Sequence, residues 1–221
     1  MIRVASRSVL LVAMTLWVLP RPAVAQSNFN PNPQDLAAAM DIPAGDITSV
    51  QLVESPGQAA RGVLSAFGSV LLPHAGGNLT ALSSGTARTP GMPGYVSAQG
   101  QTWGTGPFTL PVAVPNVPGC PVAGEARDLT ELRIEMVVPA GTIGFSFDHN
   151  FLAWDYPEYL CTIYSDGFFA VVESPSLGIM NVAFDALNNP ITLNTAFWMA
   201  GQPAGLHNPP MGTAPPGRHR L

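Results

Sequence analysis

Proline and glycine occur along the whole chain and divide it into short runs. The 221 residues include 23 Pro and 22 Gly, and only 10% of them are charged. Proline breaks helix interiors, and long surface helices need many Glu, Lys and Arg residues on their exposed faces. We therefore expect a chain of short β-strands joined by turns.

The first 25 residues have the three regions of a secretory signal peptide. Arg3 and Arg7 precede an apolar run at 9–19, and small residues at 23–25 provide a cleavage site. The apolar run has 11 residues, whereas a helix needs roughly 20 to cross a bilayer. We expect cleavage after Ala25, a secreted protein that is extracellular or at the cell surface, and no membrane span after removal of the signal.

The absence of lysine and the acidic balance exclude several function classes. A P-loop, a Schiff base and a Ser-x-x-Lys nucleophile all need a lysine, and the chain has none. Removing residues 1–25 leaves 6 arginines against 14 acidic residues, which gives a formal charge of −8. An acidic surface repels phosphate groups, so no nucleic-acid partner is expected.

The part of the chain after residue 25 contains one predicted helix and several predicted strands. Asn32 can cap a helix that has Pro33 at its first position and continues to Met40. Alternating apolar residues at 132–138 and 143–147 predict two strands joined by a turn at residues 139–141. Apolar runs bounded by Gly, Pro or Asn predict further strands at 47–54, 62–67, 69–72, 79–83, 109–114, 168–173, 180–184 and 191–193.

The predicted architecture is a mainly β single domain with one short N-terminal helix. Many short strands at this spacing are typical of a β-sandwich or jelly-roll fold. We place the domain at 26–198. The segment from 201 to 221 contains 5 Pro and 4 Gly with almost no bulky apolar residues, so 199–221 is predicted to be a disordered Pro/Gly-rich tail.

Six short motifs occur in the order found in one family of exported proteins. They are LSSGTA at 82–87, FSFDHNF at 145–151, DYPEYLCT at 155–162, YSDGF at 164–168, NVAFD at 181–185 and NPITLN at 189–194. Together they cover roughly residues 34–197 and resemble the choice-of-anchor L domain of exported bacterial proteins. The resemblance implies an extracellular β-rich module without a general catalytic activity.

The chain departs from this family after the last motif. Typical members continue into further strands and an anchor, whereas this chain turns after Trp198 into the Pro-rich tail. The resemblance therefore implies a domain truncated at its C-terminus, with a sheet edge or face left open. The resemblance does not predict how this chain would be anchored to a surface.

Cys120 and Cys161 are the only two cysteines. In an exported protein an isolated pair more often forms a disulfide than a metal site or a nucleophile. We predict a disulfide between them. The alternative is a Cys-His catalytic pair with His149, for which the sequence has no supporting motif.

Carboxylates gather in and around the segment between Phe147 and Phe168. Ca²⁺ takes six to eight oxygen ligands, which loop carboxylates and backbone carbonyls can supply. One hypothesis is that Asp155, Glu158 and Asp166 bind a structural Ca²⁺, and no other cofactor is expected. The alternative is that such residues cap turns and accept hydrogen bonds from backbone amides. The full set is Asp148, Asp155, Glu158, Asp166 and Asp185.

Four aromatic residues lie in the same segment: Trp154, Tyr156, Tyr159 and Tyr164. Aromatic rings beside carboxylates occur on carbohydrate-binding surfaces, although rings that flank strands also pack into a core or rim. The chain contains no Gly-x-Ser-x-Gly, His-Glu-x-x-His, Cys-x-x-Cys or phosphate-binding loop motif, and we assign no catalytic residue.

These observations favour a non-catalytic surface or extracellular module that serves in adhesion or matrix contact. Its partner would be an extracellular protein or glycan. One alternative is a calcium- or carbohydrate-binding domain. The other is a secreted hydrolase, since Asp155 and Glu158 are a pair of carboxylates of the kind that glycosidases use.

Overall fold

The fold is mainly β, with 28% strand and 7% helix. This result confirms the prediction of a mainly β chain with one short helix. The computed structural model describes residues 26–53, 57–68, 71–74, 76–96, 104–114, 116–122, 124–153, 155, 158–185, 188–194, 212–213 and 217–220. The predicted signal peptide lies outside this set. No helix among the described residues is long and apolar enough to span a membrane.

Helix α1 spans Pro33–Ala38 and begins where the sequence predicts. The Asn32 side chain accepts a hydrogen bond from the N–H of Asp35 at 2.9 Å, and the Asp35 carboxylate accepts one from the N–H of Asn32 at 3.0 Å. This reciprocal capping box satisfies two amides at the helix start. The helix ends two residues before the predicted Met40, and Asp41 follows with a left-handed φ of 56°.

The strands pair in antiparallel two-stranded sheets. The described strands are β1 Ile47–Leu52, β2 Arg61–Leu64, β3 Leu79–Leu82, β4 Leu132–Met136, β5 Ser146–His149, β6 Leu152–Ala153, β7 Val171–Ser174, β8 Gly178–Asn181, β9 Gly212–Thr213 and β10 Gly217–Arg220. Within the described part of the chain, β1 pairs with β4, β2 with β3, β7 with β8, β5 with β10, and β6 with β9. The sandwich or jelly-roll arrangement therefore stays a prediction.

The predicted hairpin of residues 132–138 and 143–147 does not form. The turn itself is present, because the N–H of Thr142 donates to the carbonyl of Pro139 at 3.1 Å. Strand β4 pairs with β1 instead, and the paired residues are 80 to 89 positions apart in the chain. The returning strand β5 begins only at Ser146. Alternation predicts that a strand exists, but the partner depends on which apolar face can be buried.

Two other predicted strands do not form. No residue of 109–114 is in a strand or bridge, although the neighbouring Phe108 bridges Ala126, and within 191–193 only Thr192 forms a bridge, to Gly167. Proline lacks the N–H that a ladder needs, and a proline lies in or beside each segment at positions 111 and 190.

Buried side chains lie in both halves of the chain. In the N-terminal half they include Leu36, Ala37, Ala60, Val63, Leu64 and Ala87. In the C-terminal half Phe151, Ala153, Ala183, Ile191 and Leu193 form one cluster, and Leu160, Phe168 and Ala170 pack against it. We call this second group the C-terminal core. Burial of these apolar side chains positions the segment that contains the carboxylates and tyrosines.

Arg88 organises the N-terminal half although it carries a charge. Its side chain is only 4% exposed, and its guanidinium donates to the backbone carbonyls of Phe29, Arg61, Ala87 and Pro93 at 2.6 to 3.2 Å. Burial, with the charge of Arg61 as the second cause, lowers the pKa of Arg88. Carbonyl dipoles thus solvate a cation that water would otherwise solvate.

The predicted domain boundaries at 25 and 198 stay predictions. Strands β9 and β10 belong to the segment predicted to be disordered, and the rest of 199–221 lies outside the described residues.

Candidate functional site

Residues 158–164 form an exposed turn that we call the tyrosine turn. Leu160 points inward and packs against the C-terminal core. Tyr159 and Tyr164 are 45% and 63% exposed. Their ring centroids lie 5.9 Å apart with an angle of 89° between the planes. Such an edge-to-face contact is a favourable arrangement of two aromatic rings.

A disulfide between Cys120 and Cys161 anchors the middle of the tyrosine turn. It is the pairing expected from the sequence, and it leaves no thiol at either position for a Cys-His catalytic pair. The N–H of Gly124 adds a hydrogen bond to the carbonyl of Ile163 at 3.0 Å. The cross-link closes 41 positions and stabilises the fold by about 4 kcal/mol in the loop-entropy model.

Asn194 holds the same point of the turn from the interior. It is only 3% exposed. Its side-chain oxygen accepts from the N–H of Cys161 at 2.7 Å, and its side-chain nitrogen donates to the carbonyl of Thr162 at 3.1 Å. Cys161 has a left-handed φ of 58°, which is unfavourable for a residue with a Cβ. The buried amide and the disulfide together offset that strain.

The hydroxyl of Thr162 connects the backbones of the two tyrosines. It donates to the carbonyl of Tyr159 at 2.8 Å, lies 3.0 Å from the carbonyl of Tyr164, and accepts from the N–H of Tyr164 at 3.1 Å. These contacts fix the main chain on both sides of Cys161. The two exposed rings are therefore carried on a rigid support.

The predicted calcium ligands lie close enough to influence one another electrostatically. Burial raises the pKa of Asp166 to about 6, with the charges of Asp155 and Asp128 as further causes. Burial and the charge of Glu158 raise the pKa of Asp155. Within the described residues, no group of three or more His, Cys, Asp or Glu side chains is placed to hold a metal ion. The calcium hypothesis stays a prediction.

The two remaining carboxylates of the predicted set have structural partners. Asp148 forms an ion pair with His74. Asp185 accepts from the backbone N–H of Asn189 at 2.8 Å and from its side-chain amide at 2.9 Å. The alternative interpretation, that acidic residues here cap turns, therefore describes Asp185 well.

The described aromatic residues are divided between surface and interior. Trp154 and Tyr156 lie outside the described residues, so the aromatic prediction can be followed only at Tyr159 and Tyr164. The ring of His149 stacks on Phe168, with centroids 4.9 Å apart, and Phe168 packs on the C-terminal core. His149 therefore has a packing role.

The residues that position the tyrosine turn lie far from it in the chain. Asn194 lies in the NPITLN motif, yet nothing in its local sequence shows that it bonds to a segment 33 positions away. Asn181 is a similar case, because its side-chain oxygen accepts from the N–H groups of Ala170 and Ala183, both at 3.1 Å. Asn181 and Asn194 therefore have structural roles.

Comparison of the chain with protein-family models, curated proteins and solved structures gave no match. No activity is therefore transferred from a relative.

Proposed function

We propose that this chain is a non-catalytic exported module for adhesion or matrix contact, with the tyrosine turn as its contact surface. The observation that carries the proposal is the pair of exposed tyrosines on a turn held by a disulfide, a buried amide and a threonine hydroxyl. Tyrosine is enriched in interfaces because its ring is apolar and its hydroxyl is polar. A rigid support reduces the entropy lost on binding.

Three further features support a site of action outside the cytoplasm. The first 25 residues have the pattern of a secretory signal. Disulfides persist in oxidising compartments and are rare in the cytosol. The resemblance to the choice-of-anchor L domain implies the same class of protein, and we retain that kinship as part of the proposal.

The raised pKa of Asp166 favours one second candidate, a secreted hydrolase. Adjacent carboxylates, one of which has a pKa near 6, are an arrangement that glycosidases use for acid catalysis. Perturbed carboxyl groups also arise from burial in purely structural settings. Because the tyrosine turn is exposed and rigid, we place binding first and treat hydrolysis as an outcome of the same test.

The test uses beads coated with the processed chain, residues 26–221, and surfaces coated with neutral polysaccharides, acidic polysaccharides, extracellular matrix proteins or phosphatidylcholine bilayers. We expect adhesion to at least one polysaccharide or protein surface. The double variant Tyr159→Ala/Tyr164→Ala should lose it. Ile143→Ala is the control, because Ile143 is a fully exposed apolar residue outside the tyrosine turn.

Two results would overturn the proposal. One is adhesion that the double tyrosine variant leaves unchanged. The other is release of reducing sugar from a polysaccharide surface that Asp166→Asn abolishes, which would establish the hydrolase instead.

A further inference from the structure

We infer that the tyrosine turn binds neutral saccharides. This inference rests on the proposed function and names the ligand class of the same site. The observations that carry it are the geometry of the tyrosine pair, the charged acceptor that precedes the pair in the chain, the sign of the surrounding charge and the size of the turn.

The geometry of the two rings leaves an aromatic face for stacking. In an edge-to-face pair, one ring contributes only its edge and keeps its own faces out of the contact. Both rings are substantially exposed and 5.9 Å apart. One face of a pyranose consists of C–H groups, which the negative face of an aromatic ring attracts. A single sugar residue can therefore stack on one tyrosine while its rim reaches the hydroxyl of the other.

A charged hydrogen-bond acceptor directly precedes the first ring of this pair in the chain. Glu158 is exposed and directly precedes Tyr159. None of the ion pairs between described residues involves it. An ionised carboxylate only accepts hydrogen bonds, and each saccharide hydroxyl can donate one. Hydrogen bonds to charged groups are also stronger than those between neutral groups. The turn thus presents an apolar face and a charged acceptor in sequence neighbours.

The charge of the site selects against acidic ligands. Asp155, Glu158 and Asp166 carry their carboxyl groups in or beside the turn, and Asp155 and Asp166 are close enough for the charge of one to raise the pKa of the other. The chain has no lysine, and no arginine lies between 134 and 217. A uronate, sulfate or phosphate group would meet the repulsion of these carboxylates, and Arg127, which precedes the Asp128 that acts on Asp166, is already paired with Glu125. The favoured saccharide is therefore neutral.

The size of the turn favours a saccharide over a folded protein. Stable protein interfaces bury about 800 Å² on each partner and involve about 20 to 30 residues. The tyrosine turn has seven residues, and its exposed apolar side chains are Tyr159, Ile163 and Tyr164. Two rings and one carboxylate match one or two sugar units.

Affinity electrophoresis of the processed chain tests the inference. Native gels would contain one neutral polysaccharide each (α-glucan, β-glucan, mannan, xylan or galactan) or one acidic polysaccharide (alginate or polygalacturonate). We expect retardation by at least one neutral polysaccharide. Tyr164→Ala should weaken the apparent affinity about tenfold, because an aromatic contact of this kind contributes about that factor. Tyr164→Phe keeps the ring and should stay within about threefold of the unsubstituted chain.

Two control variants separate stacking from general hydrophobicity. Ile143→Ala removes a fully exposed apolar side chain outside the turn, and Phe145→Ala removes an aromatic side chain that is 50% exposed outside the turn. Both should bind like the unsubstituted chain.

The inference is overturned if no neutral polysaccharide retards the chain, if only acidic polysaccharides do, or if retardation is unaffected in Tyr164→Ala. Adhesion to a protein surface that depends on both tyrosines would then keep the proposed function while removing the saccharide as its ligand.

Discussion

A buried guanidinium restricts the choice of residue at a neighbouring position of the N-terminal half. A Cβ at Gly62 would lie 2.7 Å from a terminal nitrogen of Arg88 and 3.2 Å from a methyl group of Leu64. Arg88 cannot withdraw easily, because that same nitrogen donates to the carbonyls of Arg61 and Ala87. Glycine at position 62 is thus required by packing.

Gly62→Ala is expected to destabilise the fold by about 1 to 3 kcal/mol, the usual range for overpacking a buried site. Urea unfolding of the two proteins measures the difference. Gly45→Ala is the control, since a Cβ there has nothing within 4 Å, and it should change stability by less than about 0.5 kcal/mol. Equal effects at the two positions would contradict the packing argument.

Arg88→Lys should destabilise the fold strongly, although it replaces one cationic side chain by another. A lysine offers one ammonium in place of a planar fork, so some of the four carbonyls would lose their donor while buried. We expect a loss of about 3 kcal/mol in the free energy of unfolding. Arg133→Lys, at the exposed ion pair with Glu131, should cost less than about 1 kcal/mol. Similar losses would show that the carbonyl contacts of Arg88 contribute little.

At the scale of elements, the tyrosine turn depends on contacts that are distant in sequence. Asn194→Ala would leave the N–H of Cys161 and the carbonyl of Thr162 without their side-chain partner. We expect a loss of about 2 kcal/mol and faster hydrogen exchange at the Cys161 amide. Asn30→Ala changes an exposed asparagine and should leave both quantities nearly unchanged. Unchanged hydrogen exchange at the Cys161 amide in Asn194→Ala would refute the role of Asn194 in holding the tyrosine turn.

The disulfide is the covalent part of the same support. Cys120→Ser/Cys161→Ser should lower the free energy of unfolding by about 4 kcal/mol, the entropy of closing a loop of about 40 residues. The unsubstituted chain measured with a thiol reductant should match the double variant, whereas the reductant should leave the double variant unaffected. A urea midpoint that is the same with and without reductant would count against the cross-link.

Local chemistry explains which elements the sequence predicts correctly. Asn32, Pro33 and Asp35 form the start of α1 through bonds within four residues, and β1 begins at Ile47 as predicted. Strand partners are set by distant burial, so the pairing of β1 with β4 was not predictable from alternation in either strand. For the same reason, the hydrogen bond between Asn194 and Cys161 was not predictable from the sequence around either residue.

At the scale of the whole molecule, the sequence shows the aromatic and acidic residues of the candidate site but not the contacts that support the tyrosine turn. The clustering of Tyr159, Tyr164 and the acidic residues was visible because all lie within a few positions of one another. The rigidity of the turn was not visible, because it comes from Cys120 and Asn194, which are 41 and 33 positions away from Cys161. Contacts that close long loops carry no local sequence signal.

The carboxyl cluster of Asp155, Glu158 and Asp166 links the stability of the whole molecule to pH. Asp166 has a pKa of about 6 in the folded chain and about 3.9 when unfolded. Between these values the folded state binds more protons, so the free energy of unfolding must fall as pH rises from 4 to 6. The raised pKa of Asp155 acts in the same direction. Asp166 is largely buried, so the rise of its pKa by about 2 corresponds to a fall of at most about 3 kcal/mol. Asp166→Asn removes this titration, so its thermal unfolding should vary less between pH 4 and pH 7 and its melting temperature at pH 7 should exceed that of the unsubstituted chain.

Glu135→Gln, which removes one exposed carboxylate from β4, controls for the change in net charge. A melting temperature that rises from pH 4 to pH 6 in the unsubstituted chain, or a pH profile identical in Asp166→Asn, would show that the carboxyl cluster does not control stability.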